Sequence, residues 1–219
     1  MPFDPHLFQL YLVAAMILVI TPGPDSLLVL SRGLTEGRRA GFVATAGITA
    51  GNVIQALLAA VGVSALIAAS PVLFDVLRYA GAAYLAWIGT RALWSAIQAR
   101  RQGGATAEPV RPPPASTRMV FVNALLTNLL NPKIILFYLA FVPQFVAPEL
   151  GSVALQTFTY GIILGGLGCL YLLGVAAASA GAARALMTSR AVHAVLDAVA
   201  GVLFLGFAVR LLLTERRFA

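Results

Sequence analysis

The sequence predicts an all-α integral membrane protein with six transmembrane helices. They form two inverted three-helix repeats, with helices 1 and 4 interrupted. Three observations predict this. Of 219 residues, 60% are hydrophobic and only 11% charged, against about 25% charged in an ordinary soluble domain. The apolar residues gather in runs near the roughly 20 needed to cross a hydrocarbon core about 30 Å thick. Clusters of helix-breaking residues also recur at matching places in the two halves of the chain.

The runs set the elements in order. Leu7 to Leu30 holds one charge, Asp25, and Gly41 to Phe74 holds none, being long enough for one span plus a turn. Pro71 to Ile97 is the weakest candidate, because Asp75, Arg78 and Arg91 leave only Tyr79 to Thr90 charge-free. Its arginines lie near the ends, where they can snorkel to headgroups. Met119 to Val146 holds only Lys133, Leu150 to Ala183 holds no charge, and Ala191 to Leu213 carries His193, Asp197 and Arg210 near its ends. Trp87, Trp94, Tyr79 and Tyr84 read as lipid-facing or interfacial-belt residues. The N-terminus reads as the first span and not as a signal peptide: no lysine or arginine precedes Arg32, and Thr21-Pro22-Gly23-Pro24 is a poor cleavage site.

Loop charge orients the chain. Arg32, Arg38 and Arg39 lie in the first loop, Arg100, Arg101, Arg111 and Arg118 in the third, and Arg184 and Arg190 in the fifth. The positive-inside rule places these loops in the cytoplasm and the N-terminus outside. Arg216 and Arg217 would then lie outside, against the rule, with the early loops dominating. Gln98 to Thr117, with Gly103-Gly104 and Pro112-Pro113-Pro114, reads as a cytoplasmic linker between half-domains 1–97 and 118–219 of one transporter domain. Three spans per half means that like-folded halves enter the membrane from opposite sides, a common transporter plan.

The same composition excludes other classes. Too few polar side chains remain to cover a soluble enzyme, a disordered chain or a free nucleic-acid binder. The net charge of +7 is spread over loops, with no single basic patch. The lone Cys169 allows no intrachain disulfide and no thiolate cluster.

Both first helices of the halves are broken. Pro22, Gly23 and Pro24 precede Asp25, and Asn128 and Asn131 precede Pro132 and Lys133, the only lysine. Proline removes a backbone donor and glycine loosens the chain; broken backbone persists at membrane depth only where protein or a watery cavity satisfies it. An intramembrane charge costs about 3 kcal/mol on insertion scales, so it marks a partner or a task. An amino acid zwitterion offers the complementary pair, its ammonium to Asp25 and its carboxylate to Lys133 or to half-helix amides. Structural readings stand beside this one: Asp25 as an N-cap, Asn131-Pro132 as an N-cap with proline at N1, and Asp25 with Lys133 as a self-neutralising ion pair.

Other polar residues are secondary candidates. Gly47 and Gly51, like Gly161 and Gly165, have the small-xxx-small spacing of close helix packing. Asn52 and Gln55 suit either a cavity lining or interhelical hydrogen bonds, and Asn123, Thr127 and Asn128 are similar, with Asn128 favoured because it adjoins the break. His193 and Asp197 read as an interfacial pair before a proton relay, and Asp75 with Arg78 as an outer-end pair.

Thr21-Pro22-Gly23-Pro24-Asp25, the Gly-rich second span after Gly37-Arg38-Arg39-Ala40-Gly41, and Asn128-x-x-Asn131-Pro132-Lys133 together resemble the LysE/RhtB family, bacterial exporters of lysine, homoserine and threonine. The resemblance covers nearly the whole chain; the linker is its poorly matching part. It implies a multi-pass exporter of amino acids or close derivatives in the bacterial cytoplasmic membrane, driven by the proton motive force. It implies no cofactor, and a homodimer. Family motif residues carry over to Pro22, Gly23, Pro24 and Asp25 and to Asn131, Pro132 and Lys133. With no cluster of intramembrane acids, a neutral substrate is favoured over lysine. Asp25 is then the proton-coupling residue: deprotonated it receives the ammonium, and protonation from outside releases it. The alternatives are an inorganic cation exporter, which would want converging carboxylates, histidines or sulfurs, and a non-transport membrane protein, for which no catalytic set is found.

Overall fold

A computed structural model describes residues 3–69, 71–101, 115–179 and 189–213. Every regular element is helical: α1 (Pro5–Ile20), α2 (Pro24–Glu36), α3 (Arg38–Ala69), α4 (Pro71–Arg101), α5 (Thr117–Leu129), α6 (Pro132–Leu136), α7 (Val153–Ala178) and α8 (Arg190–Leu213). α6 runs on through a π turn at Phe137–Phe141 and a 3-10 turn at Val142–Phe145.

The ends follow from short polar residues and glycine. Asp4 accepts from His6 N and Leu7 N at 2.9 and 3.0 Å, with Pro5 at N1 of α1. Ser116 caps α5 and Ser152 caps α7. Gly37 turns the chain between α2 and α3 at φ +88°, a conformation that glycine adopts without a Cβ penalty. Gln156 exchanges two hydrogen bonds with the backbone of Ala147, at 2.8 and 2.9 Å, tying the loop before α7 to its first turn.

α3, α7 and α8 each hold a stretch long and apolar enough to cross a membrane. α1 with α2, and α5 with the helix from Pro132 to Phe145, qualify as bent pairs, with bends of 43° and 42°. The chain is thus an all-α membrane protein with both predicted interruptions in place. α4, the weakest candidate in the sequence, is a 31-residue helix that falls short of the same apolar criterion. Its outer face fits the lipid reading: Tyr79, Trp87 and Trp94 are exposed, with Arg91 over the Trp87 ring at 5.3 Å.

Helix packing exchanges the halves. α3 lies along α7 and α4 along α8, so like pairs with like, while α3 meets α5 as α7 meets α1 and α2. A two-fold axis relating the halves would produce this pattern. Close approach depends on glycine, as the spacing predicts. A Cβ at Gly47 would lie 2.4 Å from Phe121 O, and one at Gly161 2.6 Å from the Ala56 Cβ.

Two apolar clusters result. One holds eight aromatic rings, including Tyr11, Phe141, Phe145, Tyr160 and Phe207. The other is built from smaller aliphatic residues of α2, α3, α5 and α7, such as Val29, Ile48, Val120 and Ala176. By the predicted orientation the aromatic cluster is the outer one.

Some sequence expectations find other partners or lie out of reach. Asp197 accepts from Ser95 Oγ at 2.9 Å, tying α8 to α4; among the described residues no ion pair joins it to His193. The side chains of Asp75, Arg78, Arg100 and Arg101, and all of Gly103, Gly104, Arg111, Pro112, Pro113, Pro114, Arg184, Arg216 and Arg217, lie outside the described residues.

Candidate functional site

Both breaks use the same local chemistry. α1 stops at Ile20, and Gly23 caps α2 in extended backbone, placing Pro24 at N1 and Asp25 at N2. Ser26 Oγ accepts from Gly23 N at 3.0 Å and donates to Gly23 O at 3.1 Å. α5 stops at Leu129, and Asn131 caps α6 by accepting from Lys133 N at 3.1 Å, with Pro132 at N1 and Lys133 at N2. The Asn131-Pro132 cap is as the sequence predicts. Asp25 is not the cap the sequence allowed: Gly23 takes that place, because Pro24 with its fixed φ starts the helix two residues earlier than a cap at Asp25 would.

The prolines free particular carbonyls, and the opposite half takes them. Pro22 has no N–H for Leu18 O, four residues back. Lys133 Nζ donates to that oxygen and to Thr21 O, both at 2.8 Å. Pro132 in the same way has none for Asn128 O, which accepts from Asn131 N at 3.0 Å instead. Gln55 Nε2 donates there at 2.8 Å and reaches Leu129 O at 3.3 Å. Tyr171 OH approaches Ile20 O, which Pro24 leaves free, at 3.5 Å. Lys133 at N2 opposes the dipole of its own helix, and the carbonyl end of α1 is where a cation is favoured.

Asp25 is held by the other break. Its Oδ2 accepts from Asn128 Nδ2 at 2.8 Å and its Oδ1 from Asn131 Nδ2 at 3.1 Å. Asn128 Nδ2 also donates to Asn52 Oδ1 at 3.2 Å. Among the described residues no ion pair joins Asp25 to Lys133; each charge is tied to neutral groups across the interface between the halves. The two charges therefore make no direct contact of the kind a self-neutralising pair would show.

The four bonds that hold Asp25 and Lys133 are charge-assisted, at about 1.5–3 kcal/mol each, the same order as the roughly 2.5–3.5 kcal/mol that inserting one such charge costs. Two acceptors in this layer are unsatisfied: Gln55 Oε1 and Asn128 Oδ1 are buried without a hydrogen-bond partner among the described residues. A buried acceptor left unpaired costs about 1–3 kcal/mol, so both oxygens are ready for a donor.

The layer separates the two apolar clusters. Along α3 the order is Ile48, then Asn52 and Gln55, then Ala56; along the first broken helix it is Leu18, Asp25, Val29. Pro24 and Pro132 are exposed and Pro22 partly buried, so the prolines act by what they do to the backbone. Gly23 lies beside the Lys133 side chain, and a Cβ there would stand 3.5 Å from Nζ. Of Asn123, Thr127 and Asn128, only Asn128 enters the hydrogen-bonded layer. The sequence reading missed Leu18 O and Thr21 O, since a carbonyl carries no residue identity. The signal was Pro22, four residues after Leu18.

Comparison with known proteins adds a family match. The family model described as LysE type translocator matches residues 16–215. A leucine efflux protein of Enterobacter sp. (strain 638) is 34% identical over 204 residues, covering 93% of this chain and 94% of its own length. Leucine efflux proteins of Klebsiella pneumoniae and Salmonella choleraesuis are 33% and 35% identical, each over 92% of both chains. No solved structure matches.

Proposed function

The chain belongs to the LysE type translocators, and from that premise we propose that it exports a neutral aliphatic amino acid by proton antiport, with the crossing of its two broken helices as the substrate site. A LysE type translocator with several apolar helices is a multi-pass protein of the bacterial inner membrane. The names of its relatives, leucine efflux proteins, support amino acid export and favour an aliphatic side chain.

One observation carries the reading. The breaks place opposite charges at equivalent N2 positions, and each charge is held by the opposite half and not by the other charge. A zwitterion can take both. Its ammonium, with three donors, meets Asp25 and the unpartnered Gln55 Oε1 and Asn128 Oδ1. Its carboxylate draws Lys133 away from Leu18 O and Thr21 O. Substrate thereby replaces the bonds that cross between the halves, and these are the bonds that rocking of one half against the other must change. Protonation of Asp25 from outside removes the charge that holds the ammonium, and release follows. The protonated carrier returns and loses its proton inside.

The test is efflux from proteoliposomes loaded with a mixed pool of labelled amino acids, with and without an imposed pH gradient, wild type beside Asp25→Asn. The expected result is selective, gradient-dependent loss of leucine-like amino acids that Asp25→Asn abolishes. Gradient-coupled export by Asp25→Asn would remove Asp25 from the coupling step. Folded wild type that releases no amino acid would overturn the exporter reading.

A further inference from the structure

A hollow of about 200 Å³ lies between the end of α2, the start of α3 and the start of α5. It is well away from the polar layer, on the face where the sequence places the arginine-rich first and third loops. Its volume is below the roughly 300–1,000 Å³ of drug-sized ligand sites, a size that suits one amino acid.

Its walls have the chemistry of a zwitterion site. Glu36 and Arg39 stand on either side of the Gly37 corner, whose φ of +88° swings α3 back beside α2. Glu36 Oε1 accepts from the buried Arg32 of its own helix, which fixes the carboxylate. The four lone-pair sites of a carboxylate leave capacity for an ammonium. Arg39 is exposed, and its guanidinium fork matches a carboxylate in two parallel bonds. Facing them are Val43, Val120 and Ala115, an apolar wall without a charge.

The hollow also lies in line with the transport site. Val43 and Val120 belong to or pack against the small aliphatic cluster beneath the polar layer. From Val120 to Asn128 along α5 is eight residues, roughly 12 Å at 1.5 Å per residue. Over that distance α3 faces α5 with Gly47 and Gly51, so backbone and small groups meet where bulky side chains would interlock. Such a seam can part with little repacking.

We propose that this hollow is a second binding site, which holds a neutral aliphatic amino acid at the cytoplasmic face before the α3–α5 seam admits it to the polar layer. Arg39 takes the carboxylate, Glu36 the ammonium, and Val43 with Val120 the side chain. The identity of the ligand rests on the exporter reading above; the existence of the site does not.

The test reads occupancy and not transport. Thr117, exposed on the rim, is changed to cysteine in a chain also carrying Cys169→Ser, and maleimide labelling is timed in inside-out vesicles. Leucine should slow labelling severalfold, while glutamate and lysine should not. Protection should be lost with Arg39→Gln and should persist with Asp25→Asn. Absence of protection in a protein that still exports leucine overturns the second site and leaves the exporter reading standing. Protection that disappears with Asp25→Asn also overturns it, because the cysteine would then be reporting occupancy of the polar layer. Protection in a protein that exports nothing supports the site and rejects the exporter reading.

Discussion

The two breaks share their geometry and differ in what they carry. Each has a proline at N1, a charge at N2 and a bend close to 42°. One charge is an acid and the other a lysine, and at each break a carbonyl accepts from the opposite half, Leu18 O from Lys133 and Asn128 O from Gln55. The helices that follow also diverge. α2 continues as regular α-helix onto small aliphatic residues, whereas the chain after α6 loosens into π and 3-10 turns packed among aromatic rings. Like scaffolding with unlike charge suits the zwitterion site proposed above, in which the breaks would open the backbone and the side chains at N2 would give the site its polarity.

The largest effect should come from removing that polarity. Lys133→Met leaves Leu18 O and Thr21 O without their donor and takes away the cation. The loss of one charge-assisted contact is about 1.5–3 kcal/mol, so initial efflux rates in proteoliposomes should fall about 100-fold. Lys133→Arg keeps the charge and should recover much of the rate. Wild-type rates in Lys133→Met would mean that the second break serves packing alone. The corresponding cap in the other half is neutral, so Gln55→Leu should cost less. Interhelical hydrogen bonds reach about 1.7 kcal/mol at most, which predicts a fall of about tenfold, measured by the same assay. Equal losses in the two variants would erase the difference between the breaks.

Two glycines sharpen the comparison further. A Cβ at Gly51 would stand 2.5 Å from Asn128 Oδ1, so Gly51→Ala must push that carboxamide off Asp25 or Asn52. Export should fall about fivefold, near 1 kcal/mol, through the substrate KM. Gly23 has extended backbone at φ −159° and room for a Cβ beside Lys133. Gly23→Ala should stay within about threefold of wild type, its only loss being a poorer N-cap. If Gly51→Ala leaves KM unchanged, Asn128 does not position the acid.

How much of this was legible beforehand differs by residue. The class, both breaks and the residues flanking them follow from hydropathy and proline, because a proline in an apolar run has few other meanings. Asn131 as a cap was readable for the same reason. The pairing of Asp25 with two asparagines and not with Lys133 was not readable, since it depends on which helix faces which across the interface between the halves. Asn52 and Gln55 stood open between cavity and helix contact. In the structure Asn52 makes a helix contact, while Gln55 makes one and also keeps a bare acceptor. The hollow at Glu36 and Arg39 left no trace in the pattern, because it joins residues 36–43 to residues 115–120 across the linker.

The smallest effect should come from the aromatic side. Phe207 of α8 meets Phe141 of the π turn edge to face, with centroids 4.7 Å apart and planes at 87°. Such a pair stabilises by about 0.5–1.5 kcal/mol beyond its area, and lipid tails solvate the freed ring almost as well as protein does. Phe207→Ala should therefore loosen residues 137–145 without touching the polar layer. Amide hydrogen exchange in that segment should quicken by about threefold, matching the lower end of that range, and the KM for substrate presented from the cytoplasmic side should not move. This separates the two broken helices functionally. If the π and 3-10 turns after Pro132 form the outer gate, counterflow of substrate presented from outside should rise with the exchange rate, while a truncation on the inner side, Val29→Ala in α2, leaves it unchanged. Equal changes in counterflow from Phe207→Ala and Val29→Ala would mean that the irregular helix after the second break has no gating role of its own.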